Sequence, residues 1–141
     1  MRPTLIVTSH GKMAEETVNS AKMIVGEMEN VFVVSMKDDD GLAGTVGKFD
    51  TILANLHSET EIVVLADLKG GTPCNVAMMK ASTIPTMEVV SGLNLGMLIE
   101  GVFSQLETAQ ELANYLESIG KNAIDHLEKV LPDEDEEEYE E

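Results

Sequence analysis

One of the chain's three histidines stands where chemistry is easily done. His10 follows the apolar run Leu5-Ile6-Val7-Thr8 and precedes Gly11, the pattern of a side chain delivered by the end of a β-strand into a loop. Asp67 stands in the same way after Ile62-Val63-Val64-Leu65-Ala66, and Gly70-Gly71-Thr72-Pro73 comes next. A carboxylate that takes the proton of one imidazole nitrogen fixes the tautomer and leaves the other nitrogen's lone pair free to attack. Imidazole can accept and release a phosphoryl group near neutral pH, and Asp67 would stabilise the positive charge that builds on the ring. Gly70 and Gly71 let backbone N–H groups approach phosphoryl oxygens closely, and a helix opening at Pro73 turns its positive end toward them. The Thr72 hydroxyl adds a donor. Phosphoryl transfer is mostly positioning plus charge stabilisation, so these parts suffice.

Other candidates have plainer readings. His57 and His126 lie beside the ends of helical stripes and read as surface residues. Cys74 lies near a helix start, a position that can activate a thiol. With His10 and Asp67 it could form a hydrolytic triad, although a small buried thiol is the simpler role. Asp38-Asp39-Asp40 has no further ligands in sight and reads as a turn rather than a metal site. One cysteine permits no internal disulfide and no cysteine zinc cluster, and it points to a reducing compartment. No metal and no cofactor is expected. The nine methionines read as core filler.

The elements that must hold these residues alternate in type. Thr4–Thr8, Val31–Met36, Ile62–Ala66 and Met87–Val90 are β-rich runs. Ala14, Val18, Ala21 and Val25 recur at helical spacing before Gly26, which suits a C-cap. Leu42, Val46, Phe49, Leu53 and Leu56 make a second stripe. A third helix starts at Pro73 with Thr72 as N-cap, and a short fourth covers Leu95–Phe103. The last opens on a Thr108/Glu111 capping box. It carries Ala109, Leu112, Leu116, Ile119, Ala123, Leu127 and Val130 on one face, with Pro132 at its end. This succession predicts a single α/β domain, doubly wound, with a mostly parallel sheet in the order 2-1-3-4 and helices on both faces. Strand order reverses between strands 1 and 3, and ligands in such sheets bind at the carboxyl ends flanking the reversal. His10 and Asp67 meet there.

At 141 residues the chain suits one domain, expected over residues 1–131. Residues 132–141 form an acidic tail expected to be disordered. Eight of the last nine residues are acidic, so nearly half of the net charge of −17 sits there. Nine scattered Lys and Arg residues argue against nucleic acid as a partner. No stretch approaches the ~20 apolar residues of a membrane span, and the first apolar run is too short for a signal peptide. A soluble, cytoplasmic protein is expected.

Together these motifs resemble the enzyme IIA component of the mannose-type (mannose/fructose/sorbose) bacterial sugar phosphotransferase system. The resemblance runs through Leu5-Ile6-Val7-Thr8-Ser9-His10-Gly11, then Asp67 and Gly70-Gly71-Thr72-Pro73 with Asn75-Val76-Ala77. It ends on Ser91-Gly92-Leu93-Asn94-Leu95-Gly96-Met97-Leu98, and covers about residues 1–130. It implies that His10 takes a phosphoryl group from the phosphocarrier HPr and passes it to a IIB protein, with Asp67 orienting the ring. IIB would be a separate protein, and the membrane would be reached only through the IIC/IID permease. It also implies a homodimer with a strand exchanged between subunits, a strand that the four apolar runs do not place. Three other readings stay open: the phosphotransferase subunit serving dihydroxyacetone kinase, whose corresponding loop follows a Met-Gly-Ser-type pattern; a regulatory module that senses phosphorylation without relaying it; and a hydrolase using Cys74.

Overall fold

A computed structural model describes residues 1–132. The acidic run from Asp133 onward lies outside the described residues. Strands β1 (Thr4–His10), β2 (Val31–Met36), β3 (Ile62–Ala66) and β4 (Met87–Ser91) alternate with helices α1 (Met13–Val25), α2 (Gly41–Leu53) and α3 (Thr72–Ala81). Helices α4 (Leu95–Phe103) and α5 (Ala109–Asn122) follow β4. All strand pairs are parallel, in the expected order β2-β1-β3-β4. The register sets Thr8 beside Ala66 and His10 beside Met36, so the ends of β1, β2 and β3 form one edge.

The sheet's two faces carry separate cores. Leu5, Val7, Val63 and Leu65 pack with buried residues of α1, α4 and α5, among them Ala14, Leu98, Leu112 and Leu116. Ile6, Val64 and Val34 pack on the other face with Phe49 of α2 and Val76 and Ala77 of α3. Every residue of β3 is buried, as in a central strand covered on both sides. Both faces of β1 are sealed too, and the strand changes character only at its last residue, His10, which emerges at the edge.

Three local expectations are corrected. In α2, Leu42 is 53% exposed and Thr45 is buried in the stripe instead. The helix stops at Leu53, and Leu56 packs against the core from the following turn. At the start of α5, Thr108 Oγ1 accepts from Glu111 N–H at 3.2 Å, but no return bond from Glu111 closes the box. Glu61 satisfies a different first-turn donor from across the fold, accepting the Ala109 N–H at 2.6 Å.

The largest difference is where α5 ends. Helical periodicity continues to Val130, yet the helix stops at Asn122, and Ile124, Leu127, Val130 and Leu131 are all exposed. Asn94 meets the helix at that point. Its Nδ2 donates to the Gly120 carbonyl at 3.2 Å, and the Ala123 N–H, bonded to the Ile119 carbonyl at 2.9 Å, also approaches the Gly120 oxygen at 3.3 Å. That carbonyl is the acceptor the Ile124 N–H would need to continue the helix. The Asn94 Oδ1 meanwhile caps α4 by accepting from Met97 N–H at 2.9 Å.

Candidate active site

The strand order brings His10 and Asp67 together. His10 is the last residue of β1, and Asp67 follows the last residue of β3. The Asp67 N–H still donates to the Thr8 carbonyl at 3.2 Å, so its side chain is carried to the base of the edge. One carboxylate oxygen, Oδ2, then accepts two bonds from the same residue: the His10 backbone N–H at 3.0 Å and ring Nδ1 at 2.8 Å. A side chain held at its backbone and at its ring has little freedom to swing away. With Nδ1 as the donor, the proton sits on that nitrogen and Nε2 carries the lone pair.

Burial differs between the partners. The Asp67 side chain is 10% exposed and its Oδ1 is buried without a hydrogen-bond partner among the described residues, whereas the His10 side chain is 44% exposed. The carboxylate's interactions are thus concentrated on the histidine. The imidazole remains open to solvent at the sheet edge.

The glycine loop completes the floor. Gly70 turns through φ +85°, and its carbonyl accepts from Asn75 Nδ2 at 3.1 Å. Gly71 occupies the N-cap position, correcting the expectation for Thr72, which is the first residue of α3. The Gly71 N–H is committed to the Leu68 carbonyl at 3.1 Å. Its part in the site is steric, since it lies against the Cε1–Nε2 edge of His10 with no room for a Cβ. The first-turn N–H groups of Thr72 and Cys74 have no intrahelical acceptor, and Pro73 has no N–H to satisfy. Nε2 therefore lies beside the positive end of α3.

Two supports escaped sequence reasoning. Ser9 is fully buried, accepts the Ala14 N–H on Oγ at 2.7 Å, and so caps α1 from five residues upstream. That spacing matches no standard capping pattern. Asn75 holds the Gly70 carbonyl, and the only signal was its place one turn after the glycines.

The remaining candidates lie apart. His57 sits past the end of α2, toward the opposite edge, and its Nδ1 accepts from Glu59 N–H at 3.3 Å. His126 is exposed beyond α5. Cys74 is buried, as expected of a packing thiol, while the His10 Nδ1 is taken by Asp67. Asp40 accepts from Lys48 Nζ at 2.6 Å and from Lys37 N–H at 2.7 Å, bonds that hold its carboxyl below the usual range. Among the described residues no group of His, Cys, Asp or Glu could hold a metal ion, and no helix is long and apolar enough to cross a membrane.

Known proteins resemble this chain in sequence and in fold. The family model for the PTS system fructose IIA component matches residues 4–120, which include every residue of the site. A solved mannose/sorbose-specific IIA subunit from Enterococcus faecalis is 51% identical, covers 94% of this chain and 98% of its own, and superposes with a TM-score of 0.88. The fructose-specific EIIA component of Bacillus subtilis is 29% identical over 132 residues, 90% of either chain. The mannose-specific EIIAB component of Escherichia coli is 29% identical over 105 residues, covering 74% of this chain and 32% of that protein.

Proposed function

This chain belongs to the mannose/fructose-type IIA family of the sugar phosphotransferase system, and from that membership we propose that His10 is its phosphoryl acceptor. The observation that carries this reading is the 2.8 Å bond between His10 Nδ1 and Asp67 Oδ2, which leaves Nε2 free on an open surface beside the N-terminus of α3.

The donor in this reading is phosphorylated HPr. The Nε2 lone pair attacks phosphorus, the P–N bond to the donor's ring breaks, and its electron pair stays on the donor nitrogen. His10 becomes a phosphoimidazolium, whose Nδ1–H and positive charge are held by Asp67. Phosphoryl oxygens are received by the Gly70-Gly71-Thr72 stretch, where Gly71 supplies space and the first turn of α3 supplies N–H groups. The Thr72 hydroxyl serves as a further donor. Transfer onward to a histidine of a IIB protein reverses the same steps, and sugar import follows at the permease. An exposed histidine suits this role better than a small-substrate enzyme, because the reacting partner is itself a protein surface.

The same reading includes a cytoplasmic place of work and a homodimer. Ile124, Leu127 and Leu131 are at least 74% exposed, and β4 is a sheet edge with no neighbour among the described residues. A second subunit would cover both.

The test is incubation with phosphoenolpyruvate, enzyme I and HPr, followed by mapping of the phosphate. Acid-labile phosphate on His10 that IIB then discharges is the expected result. Phosphate on another residue, or phosphate that IIB leaves in place, would overturn the relay.

A further inference from the structure

His10 and Asp67 hold one another, and such a pair needs an anchor outside itself. The carboxylate uses both bonds of Oδ2 on His10, and its Oδ1 has no hydrogen-bond partner among the described residues. No other hydrogen bond of the Asp67 side chain therefore fixes the rotation of the carboxylate. The anchor has to come from the residues on either side of His10. Gly11 is held through its N–H, which donates to the Met36 carbonyl of β2 at 2.8 Å. Lys12, the N-cap of α1, makes no capping bond with its side chain.

Ser9 supplies the rest. Side chains alternate along a strand, so Leu5, Val7 and Ser9 share a face, and the first two belong to the core packed by α1, α4 and α5. A fully buried hydroxyl that continues an apolar series costs free energy unless it is bonded. Its oxygen accepts the Ala14 N–H at 2.7 Å, and its hydrogen goes to the Gly11 carbonyl at 3.3 Å. The first-turn N–H groups of α1 have no intrahelical acceptor, and among the described residues only that of Ala14 meets a side chain. These two bonds tie the end of β1 to the start of α1, with His10 between them.

We propose that Ser9 is a positioning residue for phosphoryl transfer. Through Gly11 and the first turn of α1 it fixes the backbone at His10, and with it the alignment of the ring on Asp67. The proposal rests on His10 being the acceptor, as argued above. The route is short. The His10 N–H and ring Nδ1 both reach Asp67 Oδ2, so a shift of the loop after β1 disturbs both bonds together. A displacement of ~1 Å at a reacting atom is enough to cost about a hundredfold in rate. Ser9 is sealed from solvent and cannot touch a donor, so its loss acts on the chemical step and not on donor binding.

The experiment grades the oxygen at position 9 and reads the result twice. Ser9→Ala removes it, Ser9→Cys nearly keeps the volume but offers only a weak acceptor, and Ser9→Thr retains it. Single-turnover transfer from phosphorylated HPr should fall roughly ten- to a hundredfold in Ser9→Ala and less in Ser9→Cys, and stay near parental in Ser9→Thr. The KM for the donor should hold in all three. NMR of isotopically labelled histidine nitrogens, in alkaline buffer where imidazole is neutral, should show His10 as the Nδ1–H tautomer in the parent. Ser9→Ala should add a share of the Nε2–H tautomer. Thr108→Ala removes a comparable cap from α5 at the opposite edge of the sheet, and should leave rate and tautomer unchanged. If Ser9→Ala does not fold, Ser9→Cys against Ser9→Thr carries the same comparison. Parental rates without the oxygen would overturn the proposal, as would an equal loss in Thr108→Ala or a loss confined to the donor KM. A parent that takes no phosphate on His10 would defeat the acceptor reading instead, and the part of Ser9 in transfer with it.

Discussion

A methyl group added to Gly71 would lie 2.6 Å from Cε1 and 3.3 Å from Nε2 of His10. Gly71 has an ordinary extended backbone, φ −77° and ψ 165°, so glycine stands there for space and not for conformational freedom. Gly71→Ala must push the imidazole away from the Asp67 carboxylate. We expect a hundredfold or greater loss in the rate of phosphoryl acceptance, with the fold kept. Gly70→Ala is the contrast. Open space surrounds it, but its φ of +85° strains any other residue, so the expected effect is a loss of ~1–2 kcal/mol in stability with a smaller change in rate. Single-turnover kinetics beside denaturant unfolding would separate the two.

Asp67→Asn should slow transfer by about ten- to a thousandfold, a loss of ~1.4–4 kcal/mol of transition-state stabilisation. The amide can still accept from Nδ1–H but brings no charge to balance the developing imidazolium, and its NH₂ can hold the wrong tautomer. Thr72→Ala should cost less, because backbone N–H groups of α3 remain. Single-turnover transfer from phosphorylated HPr at one pH measures both, and an unchanged rate in Asp67→Asn would remove the carboxylate from the mechanism.

His10→Ala should abolish acceptance while leaving stability nearly intact, since the ring is at the surface end of its strand. His57→Ala and His126→Ala should behave as the parent. Mass-spectrometric mapping of the phosphate distinguishes them.

Asn94→Ala removes two bonds at once, the α4 cap to Met97 N–H and the hold on the Gly120 carbonyl. We expect a destabilisation of ~1–2 kcal/mol. Helix α5 should also continue past Asn122 into residues 123–130. Hydrogen exchange of the Ile124–Val130 amides would report the added helix; unprotected amides in the variant would show that Asn94 is not what stops α5.

Sedimentation equilibrium should give twice the 15.3 kDa of one chain at micromolar concentration. The double variant Ile124→Ser/Leu127→Ser should shift the mass toward that of one chain without unfolding it. A dimer untouched by the double change would place the interface elsewhere.

Much of this protein was legible in its sequence because the determinants are local. Short, β-branched apolar runs such as Ile62–Ala66 read as strands sealed on both faces, and the alternation of such runs with helical stripes admits few topologies. Once the order 2-1-3-4 follows, so does the meeting of His10 with Asp67, because a chain reversal puts two adjacent strand ends beside one crevice. Only the tertiary structure decided what depends on residues far apart in the chain. Helix α5 has the period to run to Val130, yet it ends at Asn122, where Asn94, 26 residues before Gly120, bonds the Gly120 carbonyl. The first turn of α5 found its second acceptor in Glu61, 48 residues before Ala109. Gly71 looked like a donor and proved to be a space, since its N–H goes to Leu68 and its missing side chain makes room for the His10 ring. Periodicity records which face of an element is apolar. Where the element ends, and which of its atoms remain free for chemistry, is settled by the atoms packed against it.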